Sequence, residues 1–203
     1  MSEYEKYSLL VGILASLVTF LAVVVAIWGE RIRQWWTKPK LKISLADPQG
    51  SFTTRADGKK ARYYSIDVRN ERRSSPAKNV RVLLTEISKQ GPDGNWRPIV
   101  FSGPVHVTWK WPDITPAYAT IGPDEMSTFG FVVEDAKRFA LQLYWCPNNL
   151  EPSFPPNEAI RIRFKAVSDS AESNTLTVQV AWDGMWNEGS KEMQQHLIVK
   201  VVE

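Results

Sequence analysis

The chain has 203 residues, of which 43% are hydrophobic and 23% charged. This length favours one domain, alone or with an appendage, and this composition excludes a disordered or collagen-like chain. The net charge of +3 is too small for a dedicated nucleic-acid-binding protein. A single cysteine, Cys146, excludes an intrachain disulfide framework, and two histidines leave little for a histidine-rich metal site.

The first predicted element is a transmembrane helix over residues 7–28, which contain no charged side chain. At 1.5 Å per residue this helix spans about 33 Å, which matches a hydrocarbon core of about 30 Å. A helix in the core of a soluble protein normally has a polar face, and this segment has none. Because the run is long and residues 2–6 are not basic, we interpret it as a permanent anchor rather than a cleaved signal peptide.

The flanking residues predict the orientation of the helix. Lys6 is the only basic residue before it, and five follow it, namely Arg31, Arg33, Lys38, Lys40 and Lys42. The positive-inside rule therefore places the N-terminal tail, residues 1–6, outside and the C-terminal domain in the cytoplasm. Residues 29–40 are predicted to be an interfacial segment that Pro39 ends. The side chains expected at the lipid headgroups are Trp28, Arg31, Arg33, Trp35 and Trp36.

Residues 41–203 are predicted to form an antiparallel β-sandwich, so that the fold class is mainly β. Hydrophobic and polar residues alternate in about nine short runs, from Leu41–Leu45 to Leu197–Val201, which is typical of strands with one buried and one exposed face. Turn sequences such as Asp57-Gly58 and Asp183-Gly184 separate the runs. A closed barrel is the alternative. Helix is expected only as turns near residues 134–139 and 190–194.

One local pattern adds to this prediction. Val68-x-Asn70, followed by Ala77-x-Asn79-Val80-x-Val82, resembles the strand–loop–strand of bacterial immunoglobulin-like β-sandwich modules. The resemblance is confined to this segment. It implies an immunoglobulin-like sandwich, and such modules bind or space rather than catalyse.

The predicted helix carries a regular series of small residues. They are spaced by 4, 3, 4, 3 and 4 positions and are Ser8, Gly12, Ala15, Thr19, Ala22 and Ala26. This spacing forms an a/d heptad seam. Small residues let helix backbones approach closely, which favours association in lipid, so we expect a homo-oligomer. The alternative is that small residues are simply common in membrane helices.

Charge is distributed unevenly along the sequence. Residues 55–81 carry nine basic and three acidic side chains, whereas residues 82–203 carry ten basic and fifteen acidic ones. A basic patch attracts anionic lipid at about 1 kcal/mol per basic residue near the surface, or it binds a phosphate-bearing ligand. An ordinary solvated strand face is the alternative. The candidate contacts are Arg62, Arg69, Arg72, Arg73 and Lys78.

Six of the nine tryptophans lie in residues 41–203. Trp109, Trp145 and Trp182 fall at alternating, inward positions and are predicted to lie in the core. Trp111 and Trp186 lie at strand ends, where an exposed aromatic residue can anchor a protein partner.

No catalytic motif is present: the sequence lacks G-x-S-x-G, H-E-x-x-H, C-x-x-C and a P-loop. We therefore expect a non-enzymatic chain with no catalytic, cofactor-binding or metal-binding residues. The sequence predicts a membrane-tethered, self-associating binding or sensing module. Its expected partners are the lipid bilayer, further copies of itself, and an unidentified protein or small anionic ligand, but no nucleic acid.

Two alternatives stay open. One is an oligomerising effector that perturbs the membrane when a ligand binds the cytoplasmic β-domain; its layout resembles that of bacterial nucleotide-triggered antiphage effectors. The other applies if the orientation is reversed, and is an envelope adhesion or assembly protein.

Overall fold

The computed structural model describes residues 3–72, 74–111, 119–121 and 124–202, and for residues 5–6 and 30–37 it describes the backbone alone. The chain divides into two compact units, residues 1–38 and residues 39–203. The first contains helix α1 (Glu3–Thr37) and the second contains two antiparallel sheets. The predicted fold class, a mainly β protein with an N-terminal helix, is confirmed.

Helix α1 is long and apolar enough to cross a membrane. Its apolar segment, Tyr7–Gly29, has 23 residues, and no part of that segment is buried inside the structure. A secretory signal sequence near an N-terminus can also contain a helix of this kind. The helix ends at Thr37, as expected, because Pro39 disfavours helical geometry at Lys38.

The first sheet is built around two long antiparallel strands that are neighbours in the sheet but distant in sequence. Its strands are β1 (Leu41–Leu45), β2 (Ser51–Thr54), β3 (Lys60–Asn70), β7 (Thr108–Trp109), β9 (Asp124–Val133), β10 (Phe139–Leu141) and β11 (Ser153–Phe154). The strand order is β1-β3-β9-β10-β11, with β2 beside β3 and β7 beside β9.

The second sheet contains the remaining strands. They are β4 (Ala77–Gln90), β5 (Trp96–Ile99), β6 (Val105–His106), β8 (Ala119–Ile121), β12 (Ala159–Val167), β13 (Glu172–Trp182) and β14 (Leu197–Val202). The order is β14-β13-β12-β4-β5, with β6 and β8 also beside β4. Helix α2 (Ser190–His196) leads directly into β14 and buries Met193.

The two sheets pack face to face through the inward half of each alternating strand. On β12, Ile160, Ile162 and Phe164 are almost fully buried, whereas Arg161 and Arg163 between them point outward. At the centre the rings of Phe129 on β9 and Phe164 lie 5.2 Å apart. The core therefore follows from the period-two pattern of the sequence.

A single chain segment closes one side of the sandwich. Val105–His106 pairs with β4 in the second sheet, and Thr108–Trp109 two residues later pairs with β9 in the first. A strand that switches sheets in this way forms a corner.

On the other side a side chain joins the sheets. The N–H of Ile43 on β1 donates to Asn174 Oδ1 at 2.9 Å, and Asn174 Nδ2 donates to the carbonyl of Ile43 at 3.0 Å. Asn174 lies on β13, in the second sheet. Its amide therefore satisfies both backbone groups that Ile43 turns away from β3, in place of a neighbouring strand.

Two local predictions are corrected. The run through Trp145 is not a strand to its end: β10 ends at Leu141, and residues 142–144 turn to hydrogen-bond with residues 106–108 instead. Trp145 is consequently 48% exposed rather than in the core. Residues 134–136 form a turn rather than a helical segment, and β10 follows shortly after it. The helical turn expected near residues 190–194 is present as α2.

We expect Asn174→Ala to destabilise the full chain by about 1–2 kcal/mol, because two backbone groups of Ile43 lose their partner at the junction of the sheets. Asn174→Asp should cost at least as much, since a carboxylate cannot donate to the Ile43 carbonyl. Urea unfolding in detergent, followed by tryptophan fluorescence, measures both. Asn149→Ala, which removes one exposed loop hydrogen bond, is the control. Equal midpoints for all three variants would contradict this role.

Candidate functional sites

The small-residue seam is exposed along α1. Ser8, Gly12, Ala15, Thr19, Ala22 and Ala26 are all exposed, as is Trp28 at 59%. A Cβ atom added at Gly12 would meet no atom within 4 Å. The hydroxyls of Ser16 and Thr19 donate to backbone carbonyls four residues earlier, at 2.9 Å each. The side chains of Arg31, Arg33, Trp35 and Trp36 lie outside the described part of the structure.

Part of the basic segment 55–81 is neutralised by the fold. Lys59 pairs with Asp135, Lys60 with Glu188 and Arg69 with Asp124. All three carboxylates come from the acidic half of the chain. The hydrogen bond from Lys59 lowers the pKa of Asp135, and the Asp135 and Glu188 carboxylates raise the pKa of Lys59 and Lys60, respectively. The excess of positive charge along this segment thus does not persist as a patch of the same strength.

Arg62, a predicted ligand contact, is instead a buried structural residue with no exposed surface. Its Nη1 donates to the carbonyl of Gln49 at 3.0 Å and to Ser190 Oγ at 3.0 Å, and Nη2 donates to the carbonyl of Glu188 at 2.7 Å. The guanidinium therefore ties the loop before β2 to the loop before α2. The prediction of a surface role for Arg62 is wrong because β3 points this side chain beneath both loops.

Gly50 permits this arrangement. It has φ +70°, and a Cβ there would lie 2.8 Å from the ring of Tyr64 and 3.0 Å from Arg62 Cγ. Only glycine fits such a position without strain.

The other predicted ligand contacts lie around the β3–β4 loop. Arg69 is exposed on β3 and Lys78 is exposed on β4, while Arg72 lies in the loop between them and Arg73 is outside the described residues. Asn70 organises this loop: its Oδ1 accepts from Lys40 N–H at 3.1 Å and its Nδ2 donates to the carbonyl of Ser75 at 2.6 Å. Asn70, the asparagine of the Val68-x-Asn70 motif, therefore stabilises the β3–β4 loop.

The two tryptophans predicted to meet a partner differ in exposure. Trp111 is 60% exposed and lies 5.8 Å from Lys110 Nζ. Trp186 is half-buried against the core, 6.5 Å from the ring of Phe52, and its Nε1 is buried without a partner in the described part of the chain. Trp109 and Trp182 lie in the core, as predicted.

A cationic face on the second sheet was not singled out from the sequence. It consists of Arg81, Arg161, Arg163, Lys165 and Lys200, which share the outward side of β4, β12 and β14. Glu86 pairs with Arg163, and Glu172 with Lys165. Arg161 stacks on Trp96 at 4.0 Å and donates from Nε to Gln179 at 3.3 Å. Within the described residues, neither Arg161 nor Lys200 pairs with a carboxylate. The alternation of three cations along β12 is the signal that could have revealed this face.

One histidine–carboxylate pair stands near the end of α2. His196 Nδ1 and Asp183 Oδ2 lie 2.8 Å apart. Across the described ranges, no serine, threonine or cysteine hydrogen-bonds to His196, and no group of three metal-ligating side chains occurs. The Met185 N–H and His196 both hold the pKa of Asp183 below its usual value against the opposing effect of partial burial. The pair links Asp183, the residue that follows β13, to His196, the last residue of α2.

The chain matches no protein-family model, and neither curated proteins nor solved structures show a significant similarity to it. Its function is therefore argued from its own residues.

We expect Arg62→Lys to destabilise the protein by about 2–4 kcal/mol, since lysine keeps the charge but lacks the planar fork that reaches both loops. Lys78→Gln, at an exposed position whose side chain pairs with no carboxylate among the described residues, should change stability by less than about 0.5 kcal/mol. Urea unfolding of the two full-length variants compares them. A loss for Lys78→Gln as large as that for Arg62→Lys would contradict the assignment.

Proposed function

We propose that the protein is a membrane-anchored, self-associating β-sandwich that binds a partner and catalyses no reaction. The observation that carries this proposal is the exposure of an apolar helical segment of 23 residues in a chain whose second unit, the sandwich, has a core of its own. A helix that buries none of its apolar surface within its own chain needs another apolar environment. The bilayer supplies that environment.

The proposed orientation has the N-terminus outside and the sandwich in the cytoplasm. Its support is the excess of basic residues after the apolar segment Tyr7–Gly29, where five follow, namely Arg31, Arg33, Lys38, Lys40 and Lys42. An uncleaved anchor is favoured over a signal sequence because the tail before the helix is acidic as well as basic and the apolar run is long.

The proposed binding surface is the cationic face. Arg161 is held by Trp96 and Gln179 with its terminal guanidinium nitrogens available, and Lys200 lies in the same cross-strand row. Such a row suits a small anionic ligand or an acidic protein segment. We also propose that the sandwich is immunoglobulin-like, a class of fold in which exposed strand faces and loops serve as binding surfaces.

Anchoring and orientation are tested together with tags at the two ends of the full chain. We expect both tags to stay in the membrane fraction after a carbonate wash, and the C-terminal tag to resist protease until the cells are opened. Loss of the N-terminal tag from the mature protein would identify a cleaved signal sequence. Cleavage of the C-terminal tag in intact spheroplasts would reverse the orientation and favour an envelope protein.

Self-association through α1 is tested with Gly12→Ile. A Cβ atom at Gly12 lies in open space, so a larger side chain there extends outward from the helix, where a neighbouring helix would pack. We expect chemical cross-linking in membranes to fall about tenfold, which corresponds to about 1.4 kcal/mol.

The matched control is Val11→Ile, an exposed position off the seam. Cross-linking of Gly12→Ile equal to that of the control would contradict association through the seam. Growth arrest on overexpression, relieved by Gly12→Ile, would favour a membrane-perturbing effector.

A further inference from the structure

The edges of the two sheets differ in how they are protected. An edge strand presents unpaired backbone groups to other chains, and monomeric proteins block such edges with proline, very short strands or covering groups. Here β5 contains Pro98, β11 has two residues between Pro152 and Pro155, and Asn174 covers the edge of β1. Three edges are therefore unsuited to pairing with another strand.

The β14 edge lacks such protection. It has six residues, Leu197–Val202, with no proline and one charge, Lys200. It stands at the end of its sheet, and no strand in the described part of the chain pairs with its outer edge. Ile198 and Val201 on it are 45% and 53% exposed. A β-branched, nearly uncharged edge of this length is a strand-pairing surface.

The hydrogen bonds at the start of β14 show which backbone groups face outward. Asp183 N–H donates to the carbonyl of His196 at 3.2 Å, and the carbonyl of Trp182 points the other way, to Asn157 N–H at 2.6 Å. Because backbone direction alternates along an antiparallel pair, Leu197, Val199 and Val201 turn their groups away from β13. Leu197 N–H is already used, since it donates to the carbonyl of Met193.

We propose that β14 pairs antiparallel with β14 of a second copy of the chain, centred on Val199. In this register the N–H of each Val199 meets the carbonyl of the other. The N–H of each Val201 meets the carbonyl of Leu197 in the second copy. Every outward donor of the strand between 197 and 201 is then satisfied. Two-fold symmetry makes the same strand serve both sides of the interface.

The charge of Lys200 favours this register and a second copy of the chain as the partner of β14. Residues opposite each other must share a face of the sheet, so a symmetric pairing is centred on one residue, and the two centres that keep most of the six-residue strand paired are Val199 and Lys200. Centring on Lys200 would place two ammonium groups opposite each other, which is destabilising. Centring on Val199 places Lys200 opposite Ile198, so that the two Lys200 ammonium groups are diagonal to each other rather than directly opposite. It also places Lys200, which has no carboxylate partner in its own described chain, diagonal to His196 of the second copy, the residue that Asp183 contacts.

This interface is separate from the seam on α1 and holds whether or not the helices associate. It is tested by disulfide formation between co-expressed full chains in the Cys146→Ser background, one carrying Ile198→Cys and the other Lys200→Cys. These positions form a non-hydrogen-bonded pair with Cα atoms about 4.5 Å apart, which is within disulfide range.

With diamide as the oxidant, we expect the mixed pair to cross-link at least tenfold more than either variant alone. Two copies of the same variant are offset by two residues along the strand, or about 7 Å, and their cysteines cannot meet. Cross-linking of the mixed pair no stronger than that of the single variants would overturn the proposal. The seam is measured separately by Gly12→Ile, so failure of one interface is distinguishable from failure of the other.

A second pair of variants tests the register by sign. Ile198→Glu places a carboxylate opposite Lys200 of the second copy and should increase the dimer fraction severalfold. Ile198→Lys places a like charge there and should decrease it by a similar factor. Ile198 is solvent-exposed, and equal urea midpoints at low protein concentration show that both variants fold. Changes of the same sign in both variants would overturn the Val199-centred register.

Discussion

Pairing of the backbone N–H and C=O groups is the constraint on which this molecule depends. Helix α1 meets it internally, which allows the outer surface of its segment Tyr7–Gly29 to be free of charge. The sandwich meets it strand by strand and has to solve it again at each sheet edge. On one side, residues 105–109 pair first with β4 and then with β9. On the other side, the Asn174 amide hydrogen-bonds to both backbone groups of Ile43. Within the described part of the chain, β14 leaves a row of outward groups from Leu197 to Val201, and for that reason it is suited to meet another chain.

Charge is arranged by the fold rather than by the order of residues. Lysines and arginines gathered in one stretch of sequence are brought against carboxylates from distant strands, as in Lys60–Glu188 and Arg69–Asp124. Exposed pairs of this kind add little stability. They do remove positive potential from the first sheet. Arg161 and Lys200 on the second sheet have no carboxylate partner in the described part of the chain. Their positive charge therefore lies on a face that the density of basic residues along the sequence does not indicate.

Anchoring and binding would be served by different units of the chain. Residues 38–40 alone separate the last residue of α1 from the first residue of β1. A membrane-held sandwich is confined to two dimensions, which raises its effective concentration for other copies and makes weak contacts effective. On a membrane, the small-residue seam of α1 and the six-residue edge of β14 can therefore contribute together to association, although each contact is weak by itself.

Much of the fold follows from the sequence because its signals are local. Residues 7–28 identify α1 by the absence of charge, and period-two alternation identifies β3, β4, β9, β12, β13 and β14. The shortest strands, such as β2 and β11, were not predicted, because two to four residues hold too little periodicity. Burial of Arg62, exposure of Trp145 and neutralisation of the basic segment depend on loops and strands that are distant in sequence. The two units and the inward face of each long strand can be predicted from the sequence, since the side-chain period is a property of neighbouring residues. Which cations stay unpaired and which edge stays open depend on what lies across the sheet, so these features emerge from the packing of distant strands.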